Sequence, residues 1–181
     1  TLAVTGDMDF SGLTDIQRLG NNGTLRLDAT APATQSLTPW PAGTGYPNVT
    51  QNGDGTTNAS GTLFTRLITV NNGTLNTTGF TAQNTTTINA GIFTNSAASS
   101  GTTLTLNGGT TTLSGAATFS GALTMAGTAV LDLGAAAAVH TVASVAGAGT
   151  LHFNTGRLQV NTGNADFTNI AVTDVSGRLV F

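Results

Sequence analysis

The chain has 181 residues and carries very little charge: five Arg and eight Asp give a net charge of -3, and Lys, Glu and Cys are absent. Charged side chains occupy 7% of positions and apolar ones 39%, a balance that predicts a folded domain rather than a disordered chain. The five Arg are scattered along the sequence, so we expect no basic surface of the kind that tracks nucleic-acid phosphates.

Neither a membrane span nor a signal peptide is predicted. The best candidate for a span, from Leu131 to Val139, is too short and contains Asp132. The first ten residues lack the basic start and the long apolar run of a signal peptide, which suggests a mature or excised product. Disulfide-free chains rich in Thr, Asn and Gly are common among exported bacterial proteins. We therefore predict an extracellular or cell-surface protein.

Residues 1–10, TLAVTGDMDF, alternate in polarity and predict a strand. Asp7 and Asp9 are two positions apart, which places both carboxylates on the same side of that strand. Paired carboxylates can perform glycoside chemistry when their pKa values are split. A solvated strand face explains the same pair more simply.

The segment 28–60 holds all four prolines, the only Trp and the only Tyr, and it predicts a loop excursion or a cap. We divide the chain into an N-terminal part, residues 1–60, and a repetitive part, residues 61–181, within one continuous domain. Trp40 and Tyr46 are the best binding candidates, because aromatic faces in a proline-stiffened loop suit sugar stacking or a subunit contact. The alternative is that Trp40 plugs the end of a small core.

The string QNGDGTTN contains three residues with oxygen ligands that Ca²⁺ accepts, namely Asn52, Asp54 and Asn58. Asn, Asp and Gly also tolerate left-handed backbone, so a turn is the competing interpretation. A single carboxylate supplies little charge for a cation, and the turn is therefore favoured. We predict no metal and no cofactor.

Between Arg66 and Asp132 the chain runs for 65 residues without Asp, Glu, Lys, Arg, His, Cys or Tyr. General acid–base catalysis needs a side chain with a tunable pKa, and covalent catalysis needs a nucleophile with a base beside it. His140, His152 and Asp166 lie beyond this stretch and could form a Ser/His/Asp set, but exposed or hydrogen-bonded histidines are the simpler interpretation. We predict that the protein is not an enzyme.

Within this stretch glycines recur every six residues and delimit short strands with a tight corner after each one. These glycines are Gly109, Gly115, Gly121 and Gly127. Alternation predicts an inward set, which includes Leu113, Phe119, Met125 and Leu131. The outward set is Thr112, Thr118 and Thr124. A regular Thr row resembles an ice-binding surface, although Thr also suits any exposed strand position.

A longer repeat is superimposed on the hexads. The octets GTTLTLNG, GTAVLDLG and GTLHFNTG begin at Gly101, Gly127 and Gly149, and GRLQV at Gly156 returns as GRLVF at Gly177. Short strands repeated at such offsets are typical of a solenoid, in which each coil buries its inner face on the next. We predict an all-β parallel β-helix (β-solenoid) with coils of about 20 to 26 residues. The right-handed form is favoured, and a left-handed hexapeptide β-helix and a β-sandwich remain alternatives.

Gly-Thr-Leu strands, NGG turns and hydroxyl-rich outer faces together resemble the solenoid stalks of bacterial autotransporter and filamentous-haemagglutinin-type surface adhesins. The likeness lies in TLTLNGGTTTLSGAATFSGALTMAGTAVLDLG and, more loosely, in GTLHFNTGRLQVNTG. The resemblance covers about half of the chain. It implies a right-handed parallel β-helix, export, and a structural or adhesive role, and it transfers no site residues.

Both ends of the sequence are strand-like, since TLAVTGDMDF begins it and GRLVF closes it. Unpaired strand edges either need covering or recruit another chain. We therefore predict a homo-oligomer or homopolymer that self-associates through its terminal strands. The predicted contact residues are Thr1, Leu2, Val4, Leu179 and Phe181.

Three classes of function remain, in order of preference. The first is an extracellular structural or adhesive protein that forms a stalk or fibre. The second is a module that binds a surface glycan or ice. A carbohydrate-active enzyme comes last, because groups that titrate near neutral pH are so scarce.

Overall fold

The structure is a computed structural model that describes residues 1–12, 23–42, 46–174 and 178–180. Every regular element in these ranges is a β-strand, and the strand pairs are parallel. The strands stack in about nine coils, which confirms the predicted β-solenoid and excludes the sandwich, whose sheets are antiparallel. The hand of the solenoid stays a prediction. Among the described elements, none is a helix that could cross a membrane.

The strands in chain order are β1 (Leu2–Val4), β2 (Met8–Asp9), β3 (Thr24–Leu27), β4 (Thr34–Thr38), β5 (Asn48–Gln51), β6 (Thr56–Thr65), β7 (Ile68–Val70), β8 (Thr74–Ala82), β9 (Thr86–Ile88), β10 (Ile92–Asn95), β11 (Ser99–Gly101), β12 (Leu104–Leu106), β13 (Thr110–Leu113), β14 (Ala117–Phe119), β15 (Ala122–Met125), β16 (Val130–Asp132), β17 (Val139–Val142), β18 (Ser144–His152), β19 (Arg157–Val160), β20 (Asn169–Asp174) and β21 (Arg178–Val180).

The strand pairings define three faces along the solenoid. Face 1 consists of β1, β3, β5, β7, β9, β12, β15 and the first half of β18. Face 2 consists of β2, β4, the first halves of β6 and β8, β10, β13, β16, the second half of β18, and β20. Face 3 consists of the second halves of β6 and β8, then β11, β14, β17, β19 and β21.

The central coils are shorter than the sequence predicts. On face 1, Ile68 pairs with Thr86 and Thr86 with Leu104, so that equivalent positions are 18 residues apart. Each six-residue unit forms one face, and three units complete a coil. The predicted spacing of about 20 to 26 residues is wrong for these coils, although it fits the C-terminal end, where Leu158 pairs with Leu179.

One continuous apolar core runs through the coils, from Met8 to Ile170. Alternation places every second strand residue inside, and the predicted hexad residues Leu113, Phe119, Met125 and Leu131 are only 1 to 3% exposed. The inward assignment of the hexads is therefore confirmed. Three phenylalanines thicken the central core: the Phe80 ring lies 5.5 Å from that of Phe93 and 6.2 Å from that of Phe119. Burying each such side chain contributes roughly 1.5 to 3 kcal/mol.

A glycine column forms the corner between face 1 and face 2. Gly73, Gly91 and Gly109 have φ values of 61°, 75° and 70°, in the left-handed region that side chains with a Cβ avoid. A Cβ on any of them would lie 2.3 to 2.4 Å from a carbonyl oxygen of the preceding coil. The coils can stack at this corner only because the column has no side chains.

Asparagines just before these glycines form a hydrogen-bonded column that we call the asparagine ladder. The Nδ2 group of Asn107 donates to Oδ1 of Asn89, and that of Asn89 donates to Oδ1 of Asn71, both at 2.8 Å. Asn71 donates in turn to Asn52 at 3.4 Å. Each amide both donates and accepts along the axis, so the ladder ties four successive coils together at an exposed corner.

The proline-rich segment 28–60 is built into the solenoid. It contains β4, β5 and the start of β6, which pair with the coils on either side. The prolines lie outside the strands, where no ladder hydrogen bond is lost. Pro47 is buried just before β5, and its carbonyl accepts a hydrogen bond from the Thr65 hydroxyl at 2.7 Å.

Candidate functional site

Trp40 packs into the side of the N-terminal coils. Its indole is 3% exposed, its ring lies 5.8 Å from that of Phe10, and its Nε1 group donates to the Phe64 carbonyl at 2.8 Å. Tyr46 is half-buried and stacks on Phe64, with 5.6 Å between the ring centroids. Both aromatic faces contact the protein itself, so the packing supports the core-plug interpretation of Trp40 rather than sugar stacking.

The predicted calcium ligands each have a structural role. The Asp54 carboxylate accepts a hydrogen bond from the Ala31 backbone at 2.8 Å, and Asn52 is the first member of the asparagine ladder. Asn58 lies on face 2 and accepts from the Asn76 amide at 2.8 Å. Among the described residues, no group of three or more His, Cys, Asp or Glu side chains could hold a metal ion. The turn interpretation of QNGDGTTN accounts for these contacts.

The N-terminal carboxylates act as caps for backbone N–H groups. Asp7 accepts from the Ser36 backbone at 2.6 Å, and Asp9 accepts from the Ser11 backbone at 2.9 Å. Hydrogen bonds from Ser11 hold the pKa of Asp9 below its ordinary value. A carboxyl group that is held ionised in this way is unsuited to donate a proton as a general acid.

The members of the candidate triad lie on different parts of the coils. His140 points inward on face 3 and is 2% exposed, whereas His152 points outward on face 2 and contacts the Thr173 hydroxyl through Nδ1 at 2.7 Å. Asp166 lies in the turn before β20, and hydrogen bonds from Thr168 lower its pKa. Burial lowers the pKa of His140, which the hydrogen bond to the Leu133 carbonyl offsets only in part.

The predicted self-association residues lie on the two end coils. Thr1 is exposed, Leu2 is 49% exposed and Val4 is half-buried on β1, while Leu179 is 36% exposed on β21. Phe181 lies outside the described residues. Within the described part of the chain, β1 pairs only with β3 and β21 only with β19.

The predicted Thr row is wrong, because successive hexads lie on successive faces. Thr112 is on face 2, Thr118 on face 3 and Thr124 on face 1. A true row exists on face 1, where the outward residue of each strand pairs with its equivalent on the next coil. Its members are Thr50, Thr69, Thr87, Thr105 and Thr124. We call this set the threonine row.

A groove runs along the solenoid where face 2 bends into face 3. Its volume is about 400 Å³. One wall is a register-paired column of Ser36, Asn58, Asn76 and Thr94. The other wall is formed by Ser60, Thr78 and Ser96. The bend arises in β6, where the register with β8 shifts between Ala59 and Thr62. We call this feature the corner groove.

The repeat that reveals these surfaces is visible in the sequence at 18-residue spacing. The strings NNG, NAG and NGG begin at Asn71, Asn89 and Asn107 and mark one corner of three consecutive coils. Aligning the chain on this motif places the threonine row and both walls of the corner groove in columns. Hydroxyl and amide groups dominate these columns, so their chemistry is hydrogen bonding to neutral polar partners.

Comparison of the chain with protein-family models, with curated proteins and with solved structures finds no match.

Proposed function

We propose that the chain is a non-catalytic structural protein of the cell surface that assembles end to end into a fibre or stalk. The observation that carries this proposal is the open strand edge on each end coil. A parallel coil that pairs on one side only leaves backbone N–H and C=O groups of its other side free to bond another strand. Exposed apolar side chains accompany those edges, with Leu2 on β1 and Val172, Leu179 and Val180 on the last strands.

The parallel arrangement favours head-to-tail assembly. If the first coil of one copy docks on the last coil of the next, the strands continue with unchanged direction. This contact joins two different surfaces, and such a heterologous contact does not close on itself unless the rotation happens to form a ring. The low net charge of -3 adds little repulsion between copies.

Light scattering and electron microscopy of the purified chain over a range of concentrations test the proposal. We expect mass and particle length to grow with concentration. Leu2→Lys should shift the population to monomers, because a charge at a strand edge opposes pairing with another chain. Ile92→Lys is the matched control, since Ile92 is 46% exposed but lies on a central coil.

Two results would contradict end-to-end assembly. One is a monomer at the highest soluble concentration. The other is equal dissociation by Leu2→Lys and Ile92→Lys, which would place the contact on the sides of the solenoid rather than on its ends.

Ice binding is a second candidate function, and the threonine row favours it. Five hydroxyl-bearing side chains repeat once per coil, at about 4.8 Å, on a surface without charged neighbours in the same column from Thr50 to Thr124. Both a rigid spacing and a neutral surface suit a partner that is itself a lattice of water. The alternative requires that ice recruits the protein and that thermal hysteresis is measurable.

A pair of arginine variants tests this second candidate. Thr105→Arg places a bulky charge in the threonine row and should abolish thermal hysteresis. Thr118→Arg, at an exposed position on face 3, should leave it unchanged. Absence of hysteresis in the original chain would remove this candidate and leave the structural proposal untouched.

A further inference from the structure

The corner groove is a continuous polar channel that spans four coils. Its first wall gains one side chain per coil because Ser36 pairs with Asn58, Asn58 with Asn76, and Asn76 with Thr94. At about 4.8 Å per coil, this column extends over roughly 15 Å along the solenoid axis. The groove is therefore straight, and its polar groups repeat at a regular interval.

Two amides in this wall are fixed by each other. The Nδ2 group of Asn76 donates to Oδ1 of Asn58 at 2.8 Å, which sets the orientation of both side chains. An amide has a carbonyl oxygen and two N–H hydrogens, so this single bond leaves a donor group on Asn58 and an acceptor on Asn76. The wall thus offers a donor and an acceptor on adjacent coils without further side-chain ordering.

The opposite wall is held to the backbone. The Ser96 hydroxyl lies 3.4 Å from the carbonyls of Thr77 and Thr78, and the Thr78 hydroxyl lies 3.5 Å from that of Ala59. Both hydroxyls point along their own coils and keep their lone pairs as acceptors. Acceptors on one wall therefore face amides on the other across the groove.

The groove has no ionisable side chain among its lining residues. At one end the Asp7 carboxylate caps the Ser36 backbone at 2.6 Å, which adds a negative charge beside the channel. Anionic polysaccharides bind where Arg or Lys forms charge-assisted hydrogen bonds with them, and this groove supplies none. Charge complementarity therefore selects a neutral ligand.

We propose that the corner groove binds an extended neutral oligosaccharide that lies along the solenoid axis. Each hexose of an extended β-linked chain carries several hydroxyls that both donate and accept, and its length is close to the thickness of one coil. A volume of about 400 Å³ lies within the range of ligand sites, although an open groove without an aromatic platform predicts weak binding. This inference goes beyond the proposed structural function and does not depend on assembly.

Titration of the isotope-labelled full chain, followed by amide NMR spectra, tests the proposal. The probes are β-linked hexamers of glucose, mannose and N-acetylglucosamine, each added to millimolar concentration, with a galacturonate hexamer as the anionic comparison. We expect at least one neutral hexamer to shift the amide signals of Asn58, Asn76 and Ser96, and the galacturonate to shift none of them.

The chain provides a matched pair of variants for the same titration. Asn76→Ala removes an inter-coil amide from the groove and should weaken binding roughly tenfold. Asn89→Ala removes an amide with the same 2.8 Å inter-coil bond from the asparagine ladder on another corner, and it should leave binding unchanged. Thermal melting of both variants separates loss of the site from loss of the fold.

Three outcomes overturn the proposal. The first is that no neutral hexamer shifts the groove signals. The second is that the galacturonate hexamer binds as well as the neutral ones. The third is that Asn76→Ala and Asn89→Ala, when equally stable, weaken binding to the same extent.

Discussion

The central coils and the end coils differ in how regularly they stack. On face 2, Thr56, Thr74, Ile92 and Thr110 follow each other at 18-residue intervals, whereas at the N-terminus Met8 pairs with Leu37, 29 residues later. A constant interval lets each corner repeat the same side chain, as the asparagine ladder does. A variable interval interrupts such columns, and more of the chain leaves the coil between faces.

This difference assigns separate tasks to the two regions. The central coils bury phenylalanines and leucines almost completely and carry hydrogen-bonded columns outside, which produces a stiff scaffold. The end coils carry the more exposed apolar side chains, such as Leu2 and Val172, together with open strand edges. Regularity therefore accompanies stability, and irregularity accompanies the surfaces that are open to partners.

Truncating one phenylalanine in each region should give the largest contrast. Phe80 is fully buried in the central core, and Phe80→Ala should lower the free energy of unfolding by about 3 to 5 kcal/mol. Phe167 only packs against the edge of the core in the last coil, so Phe167→Ala should cost under about 2 kcal/mol. Denaturant unfolding curves measure both, and equal losses would contradict the division into two regions.

The glycine column should be the next most sensitive feature. Gly91→Ala forces a Cβ to within 2.3 Å of the Gly73 carbonyl oxygen at a φ of 75°, and we expect a loss of about 2 to 4 kcal/mol. Gly127→Ala is the control, because no heavy atom lies within 4 Å of the Cβ that it adds. That variant should be neutral or slightly stabilising in the same unfolding assay. A tolerated Gly91→Ala would show that the coils can separate at this corner.

Breaking the asparagine ladder should have a smaller effect. Asn89 is bonded on both sides, so Asn89→Ala should cost about 1 to 2 kcal/mol. Asn161 near the C-terminal end only accepts from Gln159 of its own coil, at 2.8 Å, and Asn161→Ala should cost under about 0.5 kcal/mol. Hydrogen exchange of the neighbouring backbone amides should report the same order. Faster exchange around Asn161 than around Asn89 would reverse it.

The smallest expected effect is a pH dependence from His140. Burial lowers its pKa in the folded state, so below the ordinary value of 6.5 the unfolded chain binds the proton more readily. The melting temperature should therefore fall as the pH drops from about 7 to 5, and His140→Leu should flatten that slope. A slope of unchanged size in His140→Leu would show that another group is responsible.

Sequence reasoning recovered the features that depend on nearest neighbours. Alternation identified the buried side of each hexad because inward and outward positions follow from the strand itself. The 21-residue repeat of GRL was also correct, since Leu158 and Leu179 pair in the structure. In these cases one short string contains all the information that the prediction needs.

The same reasoning failed where three-dimensional register decides. Leu131 and Leu151, from two of the similar octets, do pair on face 2, but the first octet places Leu104 on face 1. Strings that look alike therefore occupy different faces, and the true interval of the central coils stayed hidden. The corner groove could not be predicted, because it depends on a bend within β6 that alternation does not encode.

The 18-residue interval of the central coils also has a genetic consequence. A duplication or loss of one in-frame unit, such as residues 74–91, would add or remove one whole coil and keep every column aligned. The rod would change in length by a fixed step of about 4.8 Å, while the end coils and their edges stayed the same. In such a gene, length can vary among descendants without any change in what the two ends recognise.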